Sequence, residues 1–185
     1  SAGVNDADLV NAKKWCSDED AEFEEHRFDA SALSPQVAAP HSPANTRDVG
    51  AFSDVLPNIA YIGACTGAKL DDLRAAASVL KGKHVAQGVQ LMVAPASARE
   101  QAQATQEGVM QTLLDAGATV LPNSCGACAG YGATFPEGST VISTTARNFK
   151  GRMGPASVNV YLASPYTVAA SALRGRITDA REVLS

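Results

Sequence analysis

From residue 59 to residue 174 the chain alternates strand-like and helix-like segments, and this alternation restricts the fold more than any other feature of the sequence. Residues 59–62, Ile-Ala-Tyr-Ile, form a short apolar run between Pro57 and Gly63 and read as a strand. A helix is expected over about 68–81, capped by Thr66 and stopped by Gly82, with Leu70, Leu73, Ala77 and Leu80 on one face. A second strand covers 89–94 and ends at Pro95. Ser97 and Glu100 have the spacing of a capping box, opening a helix to about Asp115 with Ala102, Val109 and Leu113 on its apolar face. Strands are then expected at 119–121, 140–143 and 158–163, a helix at 165–174 opened by Pro165, and a short closing turn near 179–184. The order implies an α/β fold, a mostly parallel sheet of about five strands flanked by helices. Such sheets bind ligands beyond the carboxyl ends of their strands.

The first 58 residues read differently, as a polar and proline-containing linker leading into an α/β domain at 59–185. Asp18, Glu19, Asp20, Glu22, Glu24, Glu25 and Asp29 crowd together with Arg27 as the opposing charge, as in a solvated connector. Trp15 and Phe23 could anchor it to a surface. Pro35, Pro40, Pro43 and Pro57 fix backbone angles and remove donors, so residues 31–58 read as a stiff extended crossing with a short extended piece at 36–39. His41, inside the proline-rich turn, reads as structural or exposed.

Bulk properties narrow the function. The length suits one domain, or one and a half, with a core that needs no disulfide staples. A net charge of −4 supplies no basic footprint for nucleic acid, and no apolar run approaches membrane-spanning length. The start shows no secretory pattern, and Ser1 in place of Met is expected of a processed or trimmed chain. Four cysteines in that setting favour metal or redox use in a cytoplasmic protein over a disulfide framework.

Three of those cysteines fall on strand-end loops. Cys65 follows the first strand, and Cys125 and Cys128 stand at C-x-x-C spacing among small residues after the third. Four readings compete. A redox pair would use Cys125 and Cys128 and leave Cys65 unexplained. A structural zinc site wants four ligands, and His26, His41 and His84 lack ligand spacing. Buried inert cysteines pack as small hydrophobes. An iron–sulfur cluster would use all three thiolates and leave one iron open as a Lewis acid. Around it Gly126, Ala127, Ala129 and Gly130 would let the backbone approach and donate N–H groups. Cys16 precedes the acidic run, which raises a thiol pKa, and reads as an ordinary cysteine. Arg147 and Arg152, five apart in a glycine-ended turn, could clamp a di- or tricarboxylic acid beside the cluster, or be surface charges.

The segments Ile62-Gly-Ala-Cys65-Thr, Cys125-Gly-Ala-Cys128 and Arg147-Asn-Phe-Lys-Gly-Arg152 together resemble the aconitase superfamily. Within it they look most like the large subunit of 3-isopropylmalate dehydratase and its dimethylmalate dehydratase-like relatives. Residues 35–43 and 162–170 resemble the same family, and the resemblance covers about residues 30–185. It implies that Cys65, Cys125 and Cys128 bind a [4Fe-4S] cluster and that Arg147 and Arg152 bind substrate carboxylate. It implies a hydro-lyase that dehydrates and rehydrates a hydroxy di- or tricarboxylic acid. Two positions depart from the pattern: Ala146 and Gly67 stand where asparagine is frequent. The resemblance also implies partners, namely further large-subunit domains and a small swivelling-domain subunit that supply the acid–base groups. The chain then corresponds to the third, cluster-binding domain with its linker, inactive alone. The alternative is a non-enzymatic iron–sulfur or metal-binding module.

Overall fold

The computed structural model describes residues 16–131 and 134–184. It divides into two compact units, Ser1–Leu33 and Ser34–Ser185. The described part of the first unit is irregular apart from a 3-10 turn at Ala30–Ala32. Asp29 caps that turn, its carboxylate accepting from the Ser31 N–H at 2.9 Å and the Ser31 hydroxyl at 2.6 Å. Arg27 pairs with Glu25 at 3.0 Å, and Phe23 and Phe28 are exposed. Trp15, expected as an anchor, lies outside the described residues.

The second unit is built on a seven-stranded sheet: β1 (Gln36–Ala38), β2 (Thr46–Asp48), β3 (Ile59–Gly63), β4 (Gln90–Ala94), β5 (Thr119–Val120), β6 (Thr140–Ser143) and β7 (Asn159–Leu162). Their spatial order is β2-β1-β7-β6-β3-β4-β5. The five strands from β3 to β7 run parallel, whereas β1 is antiparallel to both β2 and β7. The α/β class and mostly parallel sheet are as expected from the sequence, but the number of strands is larger. The two additional strands come from the stretch expected to be an extended crossing. Pro35, Pro40 and Pro43 all lie outside the β1–β2 ladder, where their missing donors cost it nothing. Three-residue strands carry too little periodicity to be read.

The helices are α1 (Ala64–Gly67), α2 (Leu70–Leu80), α3 (Ala98–Gln106), α4 (Val109–Asp115), α5 (Pro165–Arg174) and α6 (Arg181–Leu184). Pro165 opens α5 as expected, and further capping groups act at other ends. The Ser164 hydroxyl accepts from the Thr167 N–H at 3.2 Å behind Pro165, and Gly175 closes α5 in the left-handed conformation. Ser97 caps α3 by accepting from the Glu100 N–H at 3.2 Å, but Glu100 does not complete the box. Its carboxylate instead accepts from the Leu70 N–H at 2.6 Å, tying α3 to the start of α2. Thr66 lies within α1 rather than capping α2, whose first turn is fastened by Asp72 accepting from the Lys69 N–H at 3.0 Å. The single helix expected from 97 to 115 breaks at Gly108, with φ of 75°.

Burial is divided between the two sheet faces. Ala60, Ile62, Leu91, Val93 and Ile142 pack with the apolar sides of α2, α4 and α5 in the larger core. On the opposite face Ile59, Tyr61, Val141 and Val160 pack against Ala127, Cys128, Phe135 and Met153. Helices therefore cover one face, while the cysteine loop and the segment between β6 and β7 cover the other. The chain steps outward from β3 through β4 to β5 and then returns to β6 on the other side of β3. The β3–β6 boundary is thus the switch point at which an open parallel sheet forms a crevice.

Candidate functional site

The loops after β3, β5 and β6 meet at the carboxyl edge of the sheet beside that switch point. Cys65 arrives through a tightly fixed turn. β3 is buried throughout, and Ala64 then adopts a left-handed φ of 67°. The Thr144 hydroxyl, just beyond β6, accepts from the Gly63 N–H at 2.9 Å and donates to the Gly67 carbonyl at 2.7 Å. Both ends of the Cys65 turn are therefore held by one side chain. A Cβ on Gly67 would lie 2.1 Å from the Thr144 carbonyl oxygen, so the departure from asparagine leaves a position with no room for a side chain.

The second loop follows β5. Asn123 donates to the Pro95 carbonyl at 3.2 Å, and the Ser124 hydroxyl accepts from the Gly126 N–H at 3.3 Å. A 3-10 turn at Ala127–Ala129 follows. The Ala129 N–H donates to the Cys125 carbonyl at 3.0 Å, and the Gly130 N–H to the Ala127 carbonyl at 3.3 Å. The N–H groups of Gly126, Ala129 and Gly130 are thus engaged within the loop, whereas the sequence led us to expect them as donors to a bound group. Cys125 is exposed and Cys128 is buried.

The third loop carries the arginines. Asn148, itself buried, donates from Nδ2 to the Ala39 carbonyl at 2.8 Å and the Val160 carbonyl at 3.1 Å, pinning the turn to the outer strands. Arg147 is exposed and Arg152 is half-buried. Arg152 Nε is buried without a hydrogen-bond partner among the described residues.

All five side chains singled out from the sequence, Cys65, Cys125, Cys128, Arg147 and Arg152, line one cleft of about 210 Å³. Ala64, Thr66, Thr145 and Ala146 complete its wall. Its electrostatics are mixed. Burial pushes the Cys128 thiol pKa up and the neighbouring Cys125 adds to this, while the Arg152 guanidinium opposes both. Among the described residues no three His, Cys, Asp or Glu side chains converge closely enough to hold a single metal ion. The thiols instead border a cleft, a donor set of three soft ligands that suits a polynuclear cluster whose thiolates bind separate irons. A larger groove of about 360 Å³ by Lys83, His84, Arg174 and Glu182 contains none of the predicted residues. Arg174 lies in the last turn of α5, where it complements the helix dipole, and Lys83 donates to the Val183 carbonyl at 2.6 Å.

Three residues escaped the sequence reading: Tyr61, Thr144 and Asn148. Only Thr144, the first polar residue beyond a strand at the ligand-binding edge, carried a signal that could have marked it.

The aconitase family model (aconitate hydratase) matches residues 51–175. The chain is 44% identical over 170 residues to 3-isopropylmalate dehydratase large subunit 2 of Archaeoglobus fulgidus, covering 91% of this chain and 41% of that protein. It is 43% identical over 173 residues to the 3-isopropylmalate dehydratase large subunit of Oleidesulfovibrio alaskensis, covering 92% and 41%. For the same subunit of Picrophilus torridus the identity is 45% over 173 residues, covering 92% and 42%. The chain spans about two-fifths of the length of these relatives. No helix among the described residues is long and apolar enough to cross a membrane. With a family model matching well over half its length and relatives above 40% identity across nine-tenths of it, the chain belongs to the aconitase family.

Proposed function

We propose that this chain is the cluster-binding part of a cytoplasmic hydro-lyase of the 3-isopropylmalate dehydratase type, with residues 59–185 as the functional domain. The observation that carries the reading is the single cleft shared by three thiols and two guanidiniums at the sheet switch point. Cys65, Cys125 and Cys128 would hold a [4Fe-4S] cluster. When bound, that cluster supplies an iron that acts as a Lewis acid toward a substrate oxygen. Arg147 and Arg152 bind and orient the carboxylates of a small hydroxy di- or tricarboxylic acid, each guanidinium offering paired donors to a planar anion. Thr144 and Asn148 position the loops by anchoring their backbones.

Adding or removing water across a carbon–carbon bond also requires a group that takes and returns a proton. Among the described residues the cleft wall contains no His, Asp or Glu. The missing groups come from the remaining large-subunit domains and a small swivelling-domain subunit, so the isolated chain is inactive.

Anaerobic reconstitution with iron and sulfide tests the reading. The expected product is a brown protein whose iron content falls sharply on replacing Cys65, Cys125 or Cys128 by serine and is unaltered in Cys16→Ser. Adding the missing domains and small subunit should then restore hydration of candidate acids. Equal iron loss in Cys16→Ser would indicate a four-cysteine site and remove the open iron. Iron uptake without activity on complementation would make the chain a metal-binding module.

A further inference from the structure

Tyr61 stands directly behind the cysteine loop and takes no part in the cleft. Its side chain leaves β3 on the helix-free face and is completely buried. Phe135 packs edge-on against the ring, with centroids 5.9 Å apart. Gly63 makes room for it: a Cβ there would lie 2.1 Å from Tyr61 Cε1 and 2.6 Å from the hydroxyl. At the end of this cradle the hydroxyl has no hydrogen-bond partner among the described residues. It borders a second cavity, of about 220 Å³, whose wall includes Ser124, Gly126 and Ala127 of the loop and otherwise is mostly apolar. Burial pushes the phenol pKa up, and Cys128 and Cys125 add to this. The unpartnered O–H thus faces the reverse side of the two-cysteine loop.

A buried phenol without a partner is destabilising, and phenylalanine would fill the same cradle without that cost. Hydrogen bonds to thiolate sulfur are among the means by which a protein sets the stability and potential of an iron–sulfur site. We infer that Tyr61 is a positioning residue whose hydroxyl donates a hydrogen bond to the sulfur of Cys125 or Cys128 when those thiolates carry a cluster. This rests on the cluster assignment made above.

The test uses Tyr61→Phe in the full chain, with Tyr131→Phe as the control. Tyr131 borders the same cavity but is 73% exposed, so its hydroxyl is free to bond solvent. After anaerobic reconstitution, iron release to a ferrous chelator and the cluster's midpoint potential are measured, with the melting temperature of the metal-free proteins alongside. Tyr61→Phe should release iron roughly three- to tenfold faster, the effect of losing one hydrogen bond. Its potential should shift negative, because the sulfur loses a donor that stabilises added charge. Its metal-free form should melt no lower than wild type, and Tyr131→Phe should match wild type throughout. Identical release and potential in wild type and Tyr61→Phe would overturn the inference and assign the hydroxyl to solvent. A lower metal-free melting temperature, or the same changes in Tyr131→Phe, would also overturn it. If wild type takes up no iron, the cluster assignment fails together with this inference; if only the Tyr61→Phe difference is missing, the assignment stands.

Discussion

Replacing Thr144 by valine removes one hydroxyl and keeps the shape. That hydroxyl makes two bonds, from the Gly63 N–H at 2.9 Å and to the Gly67 carbonyl at 2.7 Å, and both glycines are buried. Each orphaned backbone group costs about 1–3 kcal/mol. The added methyl recovers roughly 1 kcal/mol of apolar burial, leaving a net loss of about 1–5 kcal/mol. For a domain of this size that is a fall of about 2–20 °C in melting temperature. Thr144→Ser separates the bonds from the packing: it keeps the hydroxyl, loses one methyl and should cost about 1 kcal/mol. Urea denaturation followed by circular dichroism gives both values on the metal-free chain. The reasoning predicts valine to be clearly worse than serine, with the Cys65 turn loosened and iron uptake reduced. A valine variant as stable as the serine variant would refute it, because the hydroxyl would then contribute nothing beyond its neighbours.

Ala64, with φ of 67°, should gain about 1 kcal/mol on substitution by glycine, read as a higher denaturation midpoint; unchanged stability would mean the turn carries no strain at that residue. Glu107 and Asp179 are held below the usual carboxylate range, each chiefly by a hydrogen bond from an arginine, Arg74 and Arg181 respectively. Because their unfolded forms bind protons first as pH falls, the stability they contribute is complete above about pH 5 and is lost progressively as pH falls on through their lowered folded-state pKa values. A melting-temperature profile should show that slope, and Glu107→Gln with Asp179→Asn should flatten it. In the assembled enzyme Arg147→Lys and Arg152→Lys should each lower kcat/KM roughly ten- to a hundredfold with iron content unchanged, since a charge-assisted hydrogen bond is worth about 1.5–3 kcal/mol. Unaltered kinetics would make them surface charges.

The sequence revealed those features that local chemistry determines. Gly82, Gly117, Pro95 and Pro122 punctuate the elements where they stand in the fold, and the βαβαβ order predicts the parallel sheet correctly. The cysteines and arginines were visible because few other residue types do their chemistry. What escaped notice depends on tertiary partners. The face of β3 that carries Tyr61 could not be distinguished from the face that carries Ile62, because a strand buried on both sides has no polar alternation. Nor did the pattern show that loops, and not helices, would cover the Tyr61 face. Thr144 and Asn148 act on groups 77 and 109 residues away, a distance over which spacing carries no information. Gly108 does not interrupt the amphipathic pattern, since Ala102, Val109 and Leu113 continue a single stripe across the break.

The two loops on the helix-free face are coupled mechanically and electrically. The Phe135 N–H donates to the Met153 carbonyl at 3.1 Å, joining the end of the cysteine loop to the end of the arginine turn. Gly130 packs so closely on the turn that a Cβ would lie 3.1 Å from the Arg152 carbonyl oxygen. Met153 and Cys128 share the same buried cluster, so the sulfur side and the guanidinium side rest on common packing. The Arg152 charge acts on the Cys128 thiol as well as on any anion in the cleft. Arg147 differs, being exposed and on the part of the turn that Asn148 anchors to β7 and the residue after β1. Removing the charge at Arg152 therefore alters the setting of the cysteines, whereas removing it at Arg147 alters chiefly what the cleft can bind. Lysine at either position retains the charge and deletes the paired donors, which is why it isolates carboxylate recognition from support of the cysteine loop.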